Sequence, residues 1–293
     1  MNLSKRGFGW LAIGLLLIII ICLGGLGLFY AGRPLPIEVR HNLFEGATYR
    51  RSVRLAPRPM VIHIVTVELT TPGLGFLVTP PDETGRNVEN PLRARTTSQF
   101  LEEFHVQLAV NGDGFHPWYS NSLVDYYPHE GDPVTPNGYA ASRGKPYSDG
   151  SEPTLFINQN NVVSFNDPKG KVFNALSGDR MLVVEGEPVE GLDDRDADPR
   201  TAIGLDRSGK SLILIVVDGR QPFYSQGATF VELAQILINY GAYAAMNLDG
   251  GGSSTLVRQG GDGRAVILNS PINSHVPRQE RPVGNHLGIF ISQ

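Results

Sequence analysis

"TFVELAQILINYGAYAAMNLDGGGSSTLV", residues 229–257, decides how this chain folds. Thr229 followed by Glu232 spells a capping box, in which each side chain satisfies the other residue's backbone N–H, so a helix starts there. Gly241 supplies the stop. "AYAAMN" then reads as a strand, the glycines as a loop and the residues after them as a second strand. A helix that leads to two strands joined by a loop does not give the regular strand–helix alternation of a doubly wound sheet. The expected class is α+β, with mixed β-sheets and few helices.

The flanking sequence agrees. "MVIHIVTVELT" (60–70) alternates β-branched and other residues as a half-buried strand does. Thr96 with Gln99 predicts a short helix to about His105, with Phe100, Leu101 and Phe104 on one face. "TLFIN", "NVVSF", "KVFNAL", "RMLVV", "TAIGLD" and "SLILIVVD" are short strands, and "NHLGIFIS" closes the chain. The 34 glycines and 21 prolines follow no collagen-like period and fit a turn-rich, strand-rich domain. Residues 118–151, rich in tyrosine, proline and glycine, form a long aperiodic stretch. It is read as a lid, a binding wall or a decorated surface loop.

The N-terminus stands apart. No charged residue occurs from Gly7 to Gly32, and as a helix "WLAIGLLLIIIICLGGLGLFYAG" would span roughly 35 Å, enough for a bilayer core. Lys5 and Arg6 before it favour a cytoplasmic N-terminus and an exported remainder. A cleaved signal peptide is the alternative, but the run is longer than a usual signal core and "LFYAG" is a poor cleavage site. Residues 1–32 are therefore expected to be a single-pass signal anchor and residues 33–58, with "RPLP" and "RLAPRP", a membrane-proximal connector.

The one cysteine, Cys22, lies inside that run. Disulfides, cysteine ligands and a cysteine nucleophile are excluded from the exported part. From Arg33 onward 23 basic residues face 29 acidic ones, so no basic field for nucleic acid exists.

"NLDGGGSST" (247–255) lacks the lysine and following helix of a nucleotide P-loop, and no helix opens after its glycines as in a dinucleotide fingerprint. Three successive glycines can form a concave nest of N–H groups for anionic oxygens. Asn247, Asp249, Ser253, Ser254 and Thr255 add polar groups beside it. "VVDGR" puts Asp218 at the mouth of an apolar strand, where an ordinary Asp-Gly turn is the plain alternative. Arg200 enters a strand after "DDRDAD" and is suited either to grip a phosphate or to pair with Asp194, Asp196 or Asp198. His63, inside an apolar alternation, is expected as a core histidine. His105, His116, His129 and His275 show no zinc spacing, and no G-x-S-x-G elbow is present.

In this order, "AVNGDGF" (109–115), "RTAIGLDRSGKSLILIVVDGR" (200–220), "GATFVELAQILINYGAYAAMNLDGGGSSTLV" (227–257) and "RPVGNHLGIF" (281–290) resemble the phosphodiester glycosidase family. Bacterial members of that family are often labelled exopolysaccharide-biosynthesis proteins. The resemblance implies an α+β domain over residues 59–293 that hydrolyses a sugar-1-phosphodiester of an envelope or exopolysaccharide glycan at the sugar side. The matching positions are Asn111, Gly112, Arg200, Thr201, Asp218, Gly219, Asn247, Asp249, Gly250, Gly251, Gly252, Ser253, Ser254, Arg281 and Asn285. The family pattern has Asn-Gly-Gly and two aromatics where this chain has "NGDGFH", so Asp113 and His116 alter the pocket wall.

The expected mechanism sets Asp218 and Asp249 at the anomeric carbon. Arg200, the glycine nest and Arg281 hold the phosphate, and Asn111 and Asn247 bind sugar hydroxyls. Asp249 has the chemistry to engage calcium or magnesium, but no three-carboxylate cage is visible in the spacing, so no cofactor is assigned. The competing readings are a non-catalytic anchored binder of anionic glycans and a metal-dependent phosphodiesterase.

Overall fold

The computed structural model describes residues 5–30, 33–82, 89–122 and 124–292; within the first helix, side chains are described at 13–25 and 27. Lys5–Tyr30 is a 26-residue α-helix in a unit, Met1–Leu35, distinct from the unit Pro36–Gln293. Among the described residues, no helix is long and apolar enough to cross a membrane.

In the second unit the strand Ser211–Val217 carries the logic of the fold. Successive strand residues point to opposite faces. Leu212, Leu214 and Val216 enter one buried apolar cluster, and Ile213, Ile215 and Val217 enter another. A strand apolar on both faces must be covered on both. It lies fourth in an eight-stranded sheet ordered Val39–Phe44, Ala47–Arg54, Met60–Glu68, Ser211–Val217, Arg200–Asp206, Ala242–Asn247, Arg180–Val184 and Glu187–Pro188.

The helix Phe230–Asn239 covers one face through Leu233, Ala234 and Leu237. Its Thr229–Glu232 capping box is formed, and Gly241 follows with φ +98°. Leu108, Val110, Leu287 and Ile289 of a five-stranded sheet cover the other face. The shorter helix Thr97–Phe104 also carries its expected box, Thr96 with Gln99. Several sheets and few helices form as expected. The named strands pair antiparallel (for example), and parallel pairing among the described residues is limited to the bridge Ile272–Gln279.

The expected connector over residues 33–58 is largely folded. Val39–Phe44 and Ala47–Arg54 form a hairpin on the edge of the large sheet, turning at Gly46 with φ +76°. Ala47 and Tyr49 alternate into the core. The prolines on either side mask that alternation in the sequence. Residues 118–151 likewise contain short strands, among them Pro133–Pro136, Ala140–Ser142 and Lys145–Ser148, so the stretch is structured wall.

The eight-stranded sheet and the five-stranded sheet that faces it are joined at one end of their strands. Arg200 pairs with Val217 and Ala202 with Asn247 in one; Asn111 pairs with His286 in the other. The Asp249 N–H donates to Gly112 O at 2.9 Å, which joins the two ends at the 247–255 turn.

Candidate active site

The expected nest of three glycine N–H groups is incomplete, because its middle member points into the protein. Gly251–Ser253 is a short 3-10 turn. The middle glycine, Gly251, donates its N–H to Pro199 O at 2.8 Å, and Ser253 and Ser254 donate theirs to Gly250 and Gly251. These three N–H groups are used within the protein. The glycines serve close approach instead. Gly251 sits at φ +60°, where a Cβ would lie 3.2 Å from Arg220 Nη1, and a Cβ on Gly252 would lie 2.5 Å from Arg281 Nη2. The turn is the surface on which two guanidinium groups rest.

A cavity of about 370 Å³ opens over this turn. Carboxylates of Asp113, Glu152, Asp179 and Asp249 share its wall with Arg200, Arg220 and Arg281, together with Trp118, Asn137 and Asn247. A second cavity of about 400 Å³ shares Trp118, Arg220 and Arg281 with it and adds Asn121, Ser122 and His275. A larger cavity, about 620 Å³, runs along the Val39–Thr48 hairpin. It holds no predicted site residue and shares no lining residue with the cleft.

Each arginine is fixed. Arg281 donates from Nε to Asn273 Oδ1 at 3.0 Å and from Nη1 to Ser253 Oγ at 3.3 Å, and lies 5.1 Å over the Trp118 ring. Arg220, at φ +55°, donates from Nε to Asp198 Oδ1 at 2.8 Å. Arg200 stacks on Phe230 at 3.9 Å and donates to the carbonyls of Ala228 and Asp196 at 3.0 and 2.9 Å. Burial lowers the Arg200 and Arg281 pKa values, but guanidinium groups stay protonated.

Asp249 is half-buried and ringed by protein atoms. That burial raises its pKa, while the Ser253 hydroxyl and Arg281 pull it down. Its carbonyl accepts from Asn111 Nδ2 at 2.7 Å. Asn247 donates to Asp179 Oδ1 and Leu248 O, both at 2.7 Å. Its Oδ1 is buried without a hydrogen-bond partner, an acceptor in want of a donor.

The structure brings Arg200, Asn247, Asp249, Gly250, Gly251, Gly252 and Arg281 into one cleft. Asp218 is not among them. It is 1% exposed and accepts from Ser270 N–H at 2.8 Å and Asn269 Nδ2 at 3.1 Å on one oxygen. The other oxygen meets His63 Nε2 at 2.9 Å and the Tyr224 hydroxyl at 3.3 Å. His63 is the expected core histidine, with Tyr49 OH 2.8 Å from its Nδ1.

Asn111 and Thr201 are buried as well: Thr201 Oγ1 donates to Asn111 Oδ1 at 2.9 Å, and Thr255 N–H donates to the same oxygen. Asn111 holds the turn and is not available to sugar hydroxyls. Gly112 packs against Asn285, whose Oδ1 accepts from Asp113 N–H at 2.8 Å. Ser253 and Ser254 are buried beneath the turn. Sequence reasoning passed over Arg220, Asp179, Glu152 and Asn137. Arg220 had a signal in "VVDGR", because the residue after an Asp-Gly turn is free to face outward. Among the described residues, no group of three or more His, Cys, Asp or Glu side chains is arranged to hold a metal ion.

Gly252→Ala is expected to displace the Arg281 guanidinium and so raise KM for an anionic substrate at least about 10-fold, the loss expected for a charge-assisted contact. Thermal unfolding within a few degrees of wild type, measured alongside, separates this from misfolding. An unchanged KM would mean that Arg281 does not touch the substrate.

The domain is thus a several-sheet, mostly β fold whose sheet ends meet in a cleft with arginines facing carboxylates. The chain belongs to the phosphodiester glycosidase family, whose profile matches residues 104–290. The N-acetylglucosamine-1-phosphodiester alpha-N-acetylglucosaminidase of Bos taurus is 44% identical over 61 residues, which is 21% of this chain and 11% of that protein. The zebrafish catalytic domain of the same name, auto-inhibited by its pro-peptide, superposes with a TM-score of 0.60 at 19% identity, covering 90% of this chain and 92% of that one. A hypothetical protein from Synechocystis gives a TM-score of 0.58 at 16% identity over 88% of this chain and 64% of its own.

Proposed function

We propose that the Pro36–Gln293 unit hydrolyses a sugar-1-phosphodiester between the anomeric carbon and oxygen. The observation that carries this reading is the position of Arg220 and Arg281 at the junction of two cavities, with Asp249 on one side. A diester phosphate at that junction puts its sugar in the carboxylate-lined cavity and its second alcohol group beside Trp118. The leaving group is a phosphate monoester, whose second pKa is about 6, so it departs with little protonation. Fixed guanidinium groups neutralise its charge without reorganising. Asp249 supports positive charge developing at the anomeric carbon.

The natural substrate in this reading is an envelope or exopolysaccharide glycan. The enzyme is anchored by its N-terminal apolar run, with the folded unit outside the cytoplasm. Fractionation with membranes and protease accessibility from the outer side test the anchoring.

Turnover of a panel of glycosyl-1-phosphodiesters in 18-oxygen water tests the reaction, with label expected in the released sugar. Label in the phosphate would identify attack at phosphorus. Affinity without product would identify a binding protein.

A further inference from the structure

We infer that Asp113 is the second carboxylate of the reaction, the base that takes the proton of the water attacking the anomeric carbon. This rests on the cleft reading above. With Asp218 in the core, Asp249 needs another partner, and Asp113 lines the same cavity.

The two aspartates are held next to one another by their backbones. The Asp249 N–H donates to Gly112 O at 2.9 Å, and Asn111 Nδ2 donates to Asp249 O at 2.7 Å. The Asp113 N–H donates to Asn285 Oδ1 at 2.8 Å. The Asp113 carboxylate is aimed by backbone N–H groups, with Gly138 N–H donating to Oδ2 at 2.7 Å and Gly114 N–H beside it. No arginine hydrogen-bonds to it among the described residues.

The surroundings of the two carboxylates differ. Asp113 is 2% exposed and is faced by Asp249 and Glu152 and by the buried Tyr147 hydroxyl. Burial first, and the two neighbouring carboxylates after it, push Asp113 up to about 7, against the lowering contacts of the Gly138 and Gly114 N–H groups. Asp249 has Ser253 and Arg281 to favour its ionised form. Two carboxylates whose environments separate their proton affinities divide the roles of charge stabiliser and proton carrier. A carrier balanced near neutrality both takes and releases a proton readily.

In the step, Asp113 accepts a proton from water as the water oxygen bonds to C1. The C1–O bond to phosphorus-bound oxygen breaks, and its electron pair leaves on the phosphate monoester at Arg220 and Arg281. The proton on Asp113 then passes to solvent.

The test uses the full chain and a glycosyl-1-phosphodiester from the panel. The wild-type rate should rise with pH through about 7, because the base must be ionised. Asp113→Asn keeps an amide oxygen for the Gly138 N–H, so a merely anchoring role would survive the change. The expected result is instead a kcat lower by about 100-fold and loss of the rising limb. Formate should restore part of the rate to Asp113→Gly by acting as the missing base. The proposal is overturned if Asp113→Asn keeps the wild-type kcat and limb, or if formate leaves Asp113→Gly inert. Should the wild type turn over no member of the panel, the cleft reading falls and takes this inference with it. Should wild type and Asp113→Asn both turn over normally, only the base assignment falls.

Discussion

Asp249→Asn is expected to lower kcat by about 10⁴-fold, the upper end for a group acting directly on the reacting atoms, with the fold intact. The turn is held by the backbone of Asp249: its N–H bonds Gly112 O and its carbonyl accepts from Asn111. Its carboxylate is left to the cleft, with the Ser253 hydroxyl and Arg281 as the groups that favour its charge. Asparagine is nearly isosteric and neutral, so it removes the stabilisation of positive charge at the anomeric carbon while keeping the turn. Affinity for the diester should change only a few-fold, because the phosphate rests on the arginines. Steady-state kinetics with a thermal-unfolding control checks this; a variant retaining a tenth of wild-type kcat would remove Asp249 from the chemistry.

Asp218→Ala is expected to act on stability, by about 3–5 kcal/mol, the usual cost of removing one member of a buried charged or hydrogen-bonded cluster. For a domain of this size that corresponds to a melting temperature lower by about 10 °C. Four donors, from His63, Tyr224, Asn269 and Ser270, would lose this carboxylate as an acceptor. Asn269 also donates to Ser254 O at 3.0 Å, so the active-site turn should loosen along with the core. Differential scanning calorimetry is the measurement. A variant with wild-type melting and no activity would return Asp218 to a catalytic role.

Much of this arrangement was legible in the sequence because local chemistry dictates it. The capping boxes at Thr96 and Thr229, and the stop at Gly241, depend on neighbours within a few residues. Asp249 stood out as a carboxylate beside three glycines, and Arg281 entered through the resemblance of "RPVGNHLGIF" to the family. Asp218 lies outside the cleft for a reason that parity supplies. It continues the face of Leu212, Leu214 and Val216, all of which enter the core between the sheets, and its partner His63 lies on the adjacent strand opposite Val216. Arg220 escapes that alternation through its left-handed backbone, for which the Asp-Gly turn before it is the local signal. The roles of Asn111, Thr201 and Asn285 depend on residues far away in the chain, so spacing alone could not separate holding a turn from holding a sugar.

The junction at Asp249 and Gly112 also constrains how this enzyme can change. Residues 109–113 and 247–255 come from distant parts of the chain, yet Asn111 alone contacts Thr201, Thr255 and Asp249. A segment from a relative grafted at one of these stretches would meet a mismatched counterpart at the other. New specificity is therefore expected to enter through coordinated exchange of both, or through the wall around Trp118 and Asn137, which can be rebuilt without opening that joint.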